Sequence, residues 1–409
     1  MKKYRKINTN RITAYIGAFF IALITSGCIE EFNATTESFE SILVVDAWIT
    51  DEFKEHHIKL SRTYRFEQDG ATPEQNAEVS ITDSNGNIYI FNEVSEGTYV
   101  SSVMFNAKPN IDYSLTVETS DNSIYTSKPE RLVIGDEIVN VESLKIENNQ
   151  ENSGVEINAF SMINSNDPKY YVYTYEETYK IIAPLWSPVE AKVVSINPPE
   201  VELVLKTKQD KICYTTNVVD KAVAGSKTKL NGNTIQKTLI KFIPKYDYEI
   251  ANRYSILVKQ HSISRAADKF YSLLKEFSTS GSLFSQIQTG FIDGNISSQN
   301  EAEQKVIGFF NVSSTSSKRI FFNFTDLYPN ETSIDLPVDC PTITPELDEL
   351  VELLASGDML YYIYNPCLLA PAPEYCDFDE PQGPYQIVPK VCGDCTESGT
   401  NIKPEFWEE

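Results

Sequence analysis

Cysteine is the residue with the clearest chemical potential in this 409-residue chain, which contains seven of them. Six lie downstream of residue 200, and five of those six fall within residues 340–409. That final segment has too few apolar residues to hold itself together by burial, so each disulfide there would contribute roughly 2–4 kcal/mol. The sequence does not choose among the possible pairings. The disulfide candidates are Cys213, Cys340, Cys367, Cys376, Cys392 and Cys395.

The pair Cys392 and Cys395, in the sequence CGDC, also suggests two other kinds of site. A zinc site would need two further ligands at a matching spacing, such as a second CxxC, and the sequence has none. A thioredoxin-like redox motif begins a helix after a strand in a βαβ unit. Here Pro389 precedes the motif and a glycine-rich segment follows it. We therefore favour structural disulfides over a metal centre or a redox function.

No other sequence pattern points to a catalytic centre. The chain lacks the motifs GxSxG and HExxH and the phosphate-binding P-loop. His56 and His57 are adjacent, so on a strand their side chains point to opposite faces and cannot easily chelate one ion. A glycosidase-type pair among the 58 acidic residues stays open as an alternative, because no motif is required for it. We expect no enzymatic activity, no cofactor and no metal.

Three alternating tyrosines are the weak candidates for ligand binding. Tyr171, Tyr173 and Tyr175 line one face of a predicted strand. An exposed tyrosine row would stack on sugar rings or on a partner protein. The alternative, which we favour, is cross-strand aromatic packing inside a β-sandwich.

The first cysteine, Cys28, stands in a different setting. Five cations and no acid precede the apolar stretch Ile12–Ile24, and the small residues Thr25-Ser26-Gly27 follow it. The stretch is shorter than the roughly 20 residues that span a bilayer, but it suits the apolar part of a signal peptide. The pattern resembles a bacterial lipobox, except for Thr25 where leucine is usual. We expect residues 1–27 to be a signal peptide and Cys28 to carry the lipid, with an ordinary cleaved signal peptide as the alternative.

The residues after Cys28 bear on location and partners. Glu30 and Glu31 resemble the acidic signal that sends lipoproteins to the outer face of the outer membrane, and residues 28–40 form a polar tether. Removing the five cations of the signal peptide changes the formal net charge from −23 to −28. Such a charge opposes binding to nucleic acid or to an anionic membrane surface. We therefore expect the outer membrane to be reached through the lipid alone.

Residues 41–133 predict an immunoglobulin-like or transthyretin-like β-sandwich. Short alternating segments are separated by turn residues, and Asn85-Gly86 marks a tight hairpin. The run Asp83–Asn87 also suggests a calcium loop, but the rest of that motif is missing. The predicted strands are Ile42–Ile49, His57–Arg62, Ala77–Thr82, Ile88–Val94, Thr98–Ser102, Tyr113–Thr119 and Ile124–Ser127.

Two further regions follow in the sequence. Residues 134–339 predict a larger β-rich domain with one helix near 262–277, where apolar residues recur at helical spacing. Residues 340–409 predict a cysteine-rich region, packed on the second domain, with a short helix at 345–355 between Thr344 and Gly357. The predicted fold class is therefore mainly β, with one or two short helices.

Several segments together resemble one protein family. SILVVDAWITDE, YVYTYEETY, GFIDGNISS, KVIGFFNVSS and CGDCTESGTNIKPEFW are similar to lipoproteins of Bacteroidota grouped as domain of unknown function 4249. Members of that family tend to be encoded beside TonB-dependent outer-membrane receptors. The resemblance implies an accessory role in nutrient capture, and it supplies no catalytic residues.

The function we expect is a surface-exposed outer-membrane lipoprotein that binds without catalysis, as a subunit of a TonB-dependent transporter with an unknown ligand. Two alternatives stay open: a structural or adhesive surface protein, and a hydrolase with an unrecognised carboxylate site.

Overall fold

The computed structural model describes residues 41–64, 70–147, 153–163, 169–223, 234–279, 292–300, 304–331, 334, 337–364 and 385–409. The predictions for the signal peptide, the tether, Cys28, Glu30, Glu31, Cys367 and Cys376 lie outside these residues. Within these ranges, no helix combines the length and the apolar character that a membrane crossing requires.

The described part of the chain is mainly β, as predicted, with 22 strands. Strands β1 to β9 are Leu43–Thr50, His57–Arg62, Thr72–Pro73, Glu78–Asp83, Ile88–Ser95, Thr98–Ser101, Asp112–Glu118, Ile124–Ser127 and Glu130–Arg131. Strands β10 to β16 are Ile138–Ile146, Gly154–Ile163, Tyr170–Ile182, Val189–Ser195, Glu200–Leu205, Ile212–Val223 and Thr234–Pro244. Strands β17 to β22 are Arg253–Ile263, Ile296–Ser298, Val306–Ser313, Thr315–Asn323, Met359–Tyr364 and Tyr385–Pro389.

Helices are few and mostly short in the described part of the chain. The α-helices, α1 to α4, are Arg265–Thr279, Phe324–Leu327, Leu347–Ser356 and Lys390–Gly393, and the 3-10 turns are Tyr248–Ile250 and Cys395–Glu397. The two longer helices correspond to the two predicted ones. Helix α1 begins three residues later than predicted because Ser262 and Ile263 still belong to β17.

Eleven strands form the first sheet, in the order β18-β8-β7-β4-β5-β6-β2-β1-β19, with β3 on β2 and β9 on β7. Among the strands that the structure describes, β1 and β19 are the one parallel pair. Alternate residues of these strands point inward and meet in one core, so the sheet folds over on itself. We call this unit the first sandwich. Its β18 and β19 come from residues 296–313, which lie within the range predicted as the second domain.

The two ends of this sheet meet at Asn295, just before β18. Its side-chain Nδ2 donates to the carbonyl of Phe310 at 2.9 Å, and its Oδ1 accepts from the Phe310 amide at 2.8 Å. The amide side chain thereby replaces a strand partner for β19. The backbones also come very close, since a Cβ on Gly294 would lie 1.6 Å from the Gly308 carbonyl oxygen. The first sandwich is therefore closed.

The predicted Asn-Gly hairpin connects β4 and β5. Gly86 has φ +88°, a conformation that glycine adopts without strain. Asp83 Oδ1 accepts hydrogen bonds from the amides of Asn85 and Asn87, and Asp83 Oδ2 accepts from the Asn87 side chain. The hairpin's own donors thus occupy the carboxylate oxygens that a calcium ion would use.

Two smaller sheets form the second sandwich. One has the order β10-β11-β16, and the other β15-β12-β17-β20. Their inner faces share a core that includes Ile157, Ile243, Tyr173 and Ile256. The sheets meet at one edge, where the Ile138 amide donates to Ser316 Oγ at 2.9 Å. Two hairpins, β13-β14 and β21-β22, lie outside this pair of sheets.

One disulfide ties the C-terminal region to the second sandwich, and a second one lies within the C-terminal region. Cys213 on β15 bonds Cys395, and Cys340 bonds Cys392. The prediction of disulfides is confirmed for these four cysteines, and the two cysteines of CGDC take different partners. Further along, Trp407 packs edge-on against Tyr214 and is 4% exposed. The last residues thus cover the outer face of the four-stranded sheet.

Candidate functional site

A groove lies where the two sandwiches meet, and helix α1 forms one wall. Strand β19 leads into β20 through Ser314 alone, so the sandwiches are joined by nearly continuous chain. Helix α1 packs into this junction: Ala267 and Phe270 contact Phe309 of the first sandwich and Val172 and Ile263 of the second. The apolar side of α1 is used for this contact, and its polar side faces the groove.

An aromatic cluster packs between α1 and the strands β1 and β17. Trp48 of β1 stacks on Tyr271 of α1, with ring centroids 5.7 Å apart, and meets the ring of His261 edge-on at 5.5 Å. Asn311 Nδ2 of β19 donates to the Tyr271 hydroxyl at 2.7 Å. These contacts fix the helix on both sandwiches, so the groove wall is rigid.

His261 is held neutral within this cluster. Its ring nitrogens lie 3.1 Å from the hydroxyl oxygens of Thr174 and Thr315. Burial lowers the pKa of His261 to about 4, because a charged imidazolium loses its hydration there. A neutral histidine between two hydroxyl groups acts as a hydrogen-bonded spacer in the junction.

Two adjoining cavities open along the groove. The smaller, about 280 Å³, lies at the start of α1, and the larger, about 630 Å³, runs along its flank. Tyr170 and Arg265 line both cavities. Ser262 lines the smaller one and Lys269 the larger. Asp268 and Glu276 also line the larger cavity. The combination of an aromatic ring, charges of both signs and hydroxyls suits a polar organic ligand.

The tyrosine row, the weak candidate for ligand binding, lies in the interior of the second sandwich. Tyr171 and Tyr173 are each only 1% exposed, and they point into the core of the second sandwich. Tyr171 donates to Asp136 Oδ2 at 2.7 Å, and Tyr173 donates to Gln260 Oε1 at 2.8 Å. Tyr175 packs against the same core. The packing alternative therefore describes these tyrosines, because the sandwich needs this face of β12 for its interior.

Tyr170, the neighbour on the opposite face of β12, is the tyrosine that lines the groove. Sequence alternation separated Tyr170 from Tyr171 correctly but did not show which face would be covered. Arg265 and Ser262 were missed altogether. A charged residue at a helix start and a serine at a strand end are common, so nothing in the sequence distinguishes these two.

One pair of carboxylates does come together, inside the second sandwich. Lys241 Nζ lies 2.5 Å from Glu177 Oε2 and 2.6 Å from Glu249 Oε2. Tyr254 donates to the same Glu177 oxygen at 2.5 Å. Burial raises the pKa of Glu249. Burial alone would lower the pKa of Lys241, but its hydrogen bonds to both glutamates raise it.

This cluster is arranged as a structural ion bridge. Glu177 is 3% exposed, and neither it nor Glu249 lines the junction cavities. A glycosidase pair needs an open cleft between its carboxyl groups for the sugar and a water. Here a lysine occupies that position, so the geometry of this pair does not provide a hydrolytic site.

His56 is also structural. Its ring Nε2 lies 3.0 Å from the Phe105 carbonyl oxygen, and its ring packs edge-on against the Phe105 ring at 4.6 Å. Burial lowers the pKa of His56 to about 4. Its neighbour His57 is exposed on the opposite face of β2, as the alternation of strand side chains predicts.

The fold and the groove define a class of protein: two joined β-sandwiches, cross-linked at the C-terminal end, with a polar groove at the junction. The chain belongs to the family Domain of unknown function (DUF4249), whose sequence model matches residues 29–319. The match covers the first sandwich and runs to β20 of the second. It ends before the C-terminal region that carries three of the four bridged cysteines.

Other comparisons add little. No curated protein shows significant similarity to the chain. Among solved structures, the chain is similar to a DUF4785 family protein from Legionella pneumophila subsp. pneumophila str. Philadelphia 1, at 6% identity and a TM-score of 0.18. That alignment covers 54% of this chain and 52% of the other, so the chain spans about half the length of that protein. A similarity at this level carries no functional argument.

Proposed function

We propose that the protein is a surface-exposed outer-membrane lipoprotein that acts without catalysis, as a binding subunit of a TonB-dependent nutrient transporter. The observation that carries this proposal is the open groove beside α1. The carboxylate pair, by contrast, is closed by a lysine inside the second sandwich. The geometry therefore favours a surface that binds over a site that transforms a substrate.

The position of the groove supports a tethered arrangement. Strand β1 begins at Leu43 and ends at Thr50, beside Ser313 of β19. Strand β20 of the second sandwich begins two residues after Ser313, so the second sandwich and the groove lie at the Thr50 end of β1. Eight strand residues span about 25 Å, so the groove lies well away from the point where the preceding chain joins β1. A lipid on Cys28 would leave the groove accessible.

The length between Cys28 and β1 sets how far the sandwiches can move from the membrane. Fifteen residues reach at most about 50 Å when fully extended. Within that radius a membrane-embedded partner would experience a high effective concentration of the protein. A weak contact would then give a lasting complex. In this proposal, Glu30 and Glu31 direct the lipoprotein to the outer face.

Co-purification from native membranes tests the proposal. The tagged protein is extracted with a mild detergent, and bound proteins are identified by mass spectrometry. We expect a TonB-dependent β-barrel in the wild-type sample and its loss or strong reduction in the Cys28→Ala variant, because the tethering advantage disappears. A Glu96→Gln variant is the control, since Glu96 is exposed on the first sandwich and its replacement leaves the lipid site and both disulfides unchanged.

The alternatives predict different results. An adhesive protein would be recovered without a β-barrel, and its deletion would alter surface attachment instead of growth on one scarce nutrient. A hydrolase would release product from glycan, peptide or ester substrates. A Cys28→Ala variant that is processed and membrane-bound like the wild type would contradict the lipid anchor.

A further inference from the structure

Three side chains come together between the two sheets of the second sandwich. Lys241 belongs to β16 of the three-stranded sheet, and Glu177 belongs to β12 of the four-stranded sheet. Lys241 Nζ lies 2.5 Å from Glu177 Oε2 and 2.6 Å from Oε2 of Glu249, which is part of the 3-10 turn after β16. The lysine therefore reaches from one sheet to the other and contacts two carboxyl groups at once.

The cluster is largely shielded from water. Glu177 is 3% exposed, and the Lys241 and Glu249 side chains are 17% and 22% exposed. The rings of Tyr175 and Tyr254 flank the Lys241 nitrogen, each with its centroid 6.0 Å away. An amine and a carboxyl group held in contact react as if at an effective concentration of about 10⁵–10⁸ M. Exclusion of water also protects the amide that they would form from hydrolysis.

Proton transfer within the cluster generates the reactive amine. Burial raises the pKa of Glu249, aided by the charges of Glu177 and Asp247 and opposed by Lys241. A carboxylate with a raised pKa is a better acceptor for the lysine proton. Burial lowers the pKa of Lys241, but its hydrogen bonds to both glutamates outweigh burial and raise it. The neutral amine is therefore the minor form, so a reaction through it is slow and occurs once per chain.

Tyr254 distinguishes the two carboxyl groups. This residue is fully buried, and its hydroxyl donates to Glu177 Oε2 at 2.5 Å. A donor at this oxygen stabilises the negative charge that develops when an amine attacks the carboxyl carbon. Glu177 is thus the group prepared for attack, and Glu249 is the group that accepts and returns a proton.

We propose that Lys241 and Glu177 form an amide cross-link between the two sheets, with Glu249 as the proton carrier. The bond between Lys241 Nζ and Glu177 Cδ forms, and one C–O bond of the Glu177 carboxyl group breaks. The ammonium nitrogen gives up two of its three protons, one of them through Glu249. The departing oxygen takes both protons and leaves as water, so the reaction needs no other reactant.

The position of the cluster suits a cross-link. The two sheets already meet at one edge, where the Ile138 amide of β10 donates to Ser316 of β20. Strand β16 lies at the opposite side of the three-stranded sheet from β10. A cross-link from Lys241 would therefore fasten the sandwich at both sides. This inference goes beyond the proposed function and does not depend on it.

Peptide mapping of the full-length protein tests the inference. The protein is denatured, reduced, digested with trypsin and analysed by tandem mass spectrometry. The cross-link predicts a branched species that joins residues 238–245 to residues 170–180, without cleavage after Lys241 and lighter than the two peptides together by one water. Fragment ions should place the branch at Glu177 and not at Glu176. The branched fraction should increase with time after the protein is refolded from guanidinium.

Three variants separate a reaction from a simple ion pair. Lys241→Arg is the matched control, because arginine keeps the positive charge but its guanidinium stays protonated and does not attack a carboxyl carbon. This variant should give no branched species. Glu249→Gln should slow cross-linking about 100-fold, because it removes the proton carrier. Tyr254→Phe should slow cross-linking at least about ten-fold, because it removes the donor to Glu177.

Three results would overturn the inference. The first is full recovery of the separate linear peptides from the wild type after prolonged incubation of the folded protein. The second is a branch that joins residues 238–245 to residues 246–253, which would make Glu249 the group attacked. The third is an unchanged rate in Glu249→Gln. None of these measurements involves the lipid or a β-barrel partner, so failure of the cross-link and failure of the transport role are distinguishable.

Discussion

Removal of the Cys213–Cys395 disulfide should strongly destabilise the second sandwich. The bridge joins residues 182 positions apart, so it excludes many conformations of the unfolded chain. A closed loop of that size corresponds to about 5 kcal/mol in the chain-entropy treatment. The second bridge shortens the effective loop to roughly 130 residues, which changes this value by only about 0.3 kcal/mol.

The matched comparison is the Cys340–Cys392 bridge, which closes 52 positions. The same treatment gives about 4 kcal/mol for it. We therefore expect the double variant Cys213→Ala, Cys395→Ala to lose slightly more unfolding free energy than Cys340→Ala, Cys392→Ala. Loss of the first bridge should also free the residues after 395, including Trp407, whose ring packs on Tyr214 next to Cys213.

Guanidinium unfolding without reductant, followed by tryptophan fluorescence, measures both losses. The wild type in reductant should behave like a protein without either bridge. A loss below about 1 kcal/mol for the Cys213 and Cys395 pair would refute the loop argument, since alanine leaves no thiol to form another bridge. Peptide mapping that links Cys213 to any cysteine other than Cys395 would refute the pairing itself.

Three further predictions concern buried side chains. Burial lowers the pKa values of His56 and His261 to about 4 in the folded protein, whereas in the unfolded chain both titrate near 6.5. Each histidine should therefore lower the unfolding free energy by about 3 kcal/mol as the pH falls from about 6.5 to about 4. Glutamine at either position should flatten that slope in urea unfolding at pH 7.5 and 4.5. Trp407→Ala should lose about 3–5 kcal/mol, whereas Phe53→Ala, exposed on the first sandwich, should lose under about 0.5 kcal/mol. Asn295→Ala should cost about 2 kcal/mol or more in thermal unfolding, because a buried amide and carbonyl lose their partners; an unchanged midpoint would contradict the sheet-closing role.

Local patterns in the sequence predicted the elements that depend on local physics. The alternation in Leu43–Thr50 and the Asn-Gly turn after Asp83 produced the expected strands and hairpin. Helix α3 ends at Gly357, whose φ of +81° is the left-handed conformation that a helix stop favours. These features are decided within a few residues, so a short window of sequence contains the information.

The groove could not be predicted in the same way. Its residues come from β12, the end of β17 and α1, and the alternation in Tyr170–Tyr175 does not say which face a second sheet will cover. The same limit applies to the disulfides, since pairing of Cys213 with Cys395 depends on where the C-terminal segment crosses β15. Contacts between distant segments decide both the groove and the disulfide pairing, and local patterns in a single sequence do not reveal such contacts.

The parallel pairing of β1 with β19 has a consequence for biosynthesis. Leu43 lies opposite Val306, so the first sandwich needs residues made about 260 positions later. Ribosomes add about 5–20 residues per second, so roughly 10–35 seconds separate the completion of β9 from the arrival of β19. Throughout that interval the edge of β1 has no partner, and unpaired edges pair with other chains. A chain truncated before residue 306 would lack β19 and would leave that edge of β1 permanently open to other chains.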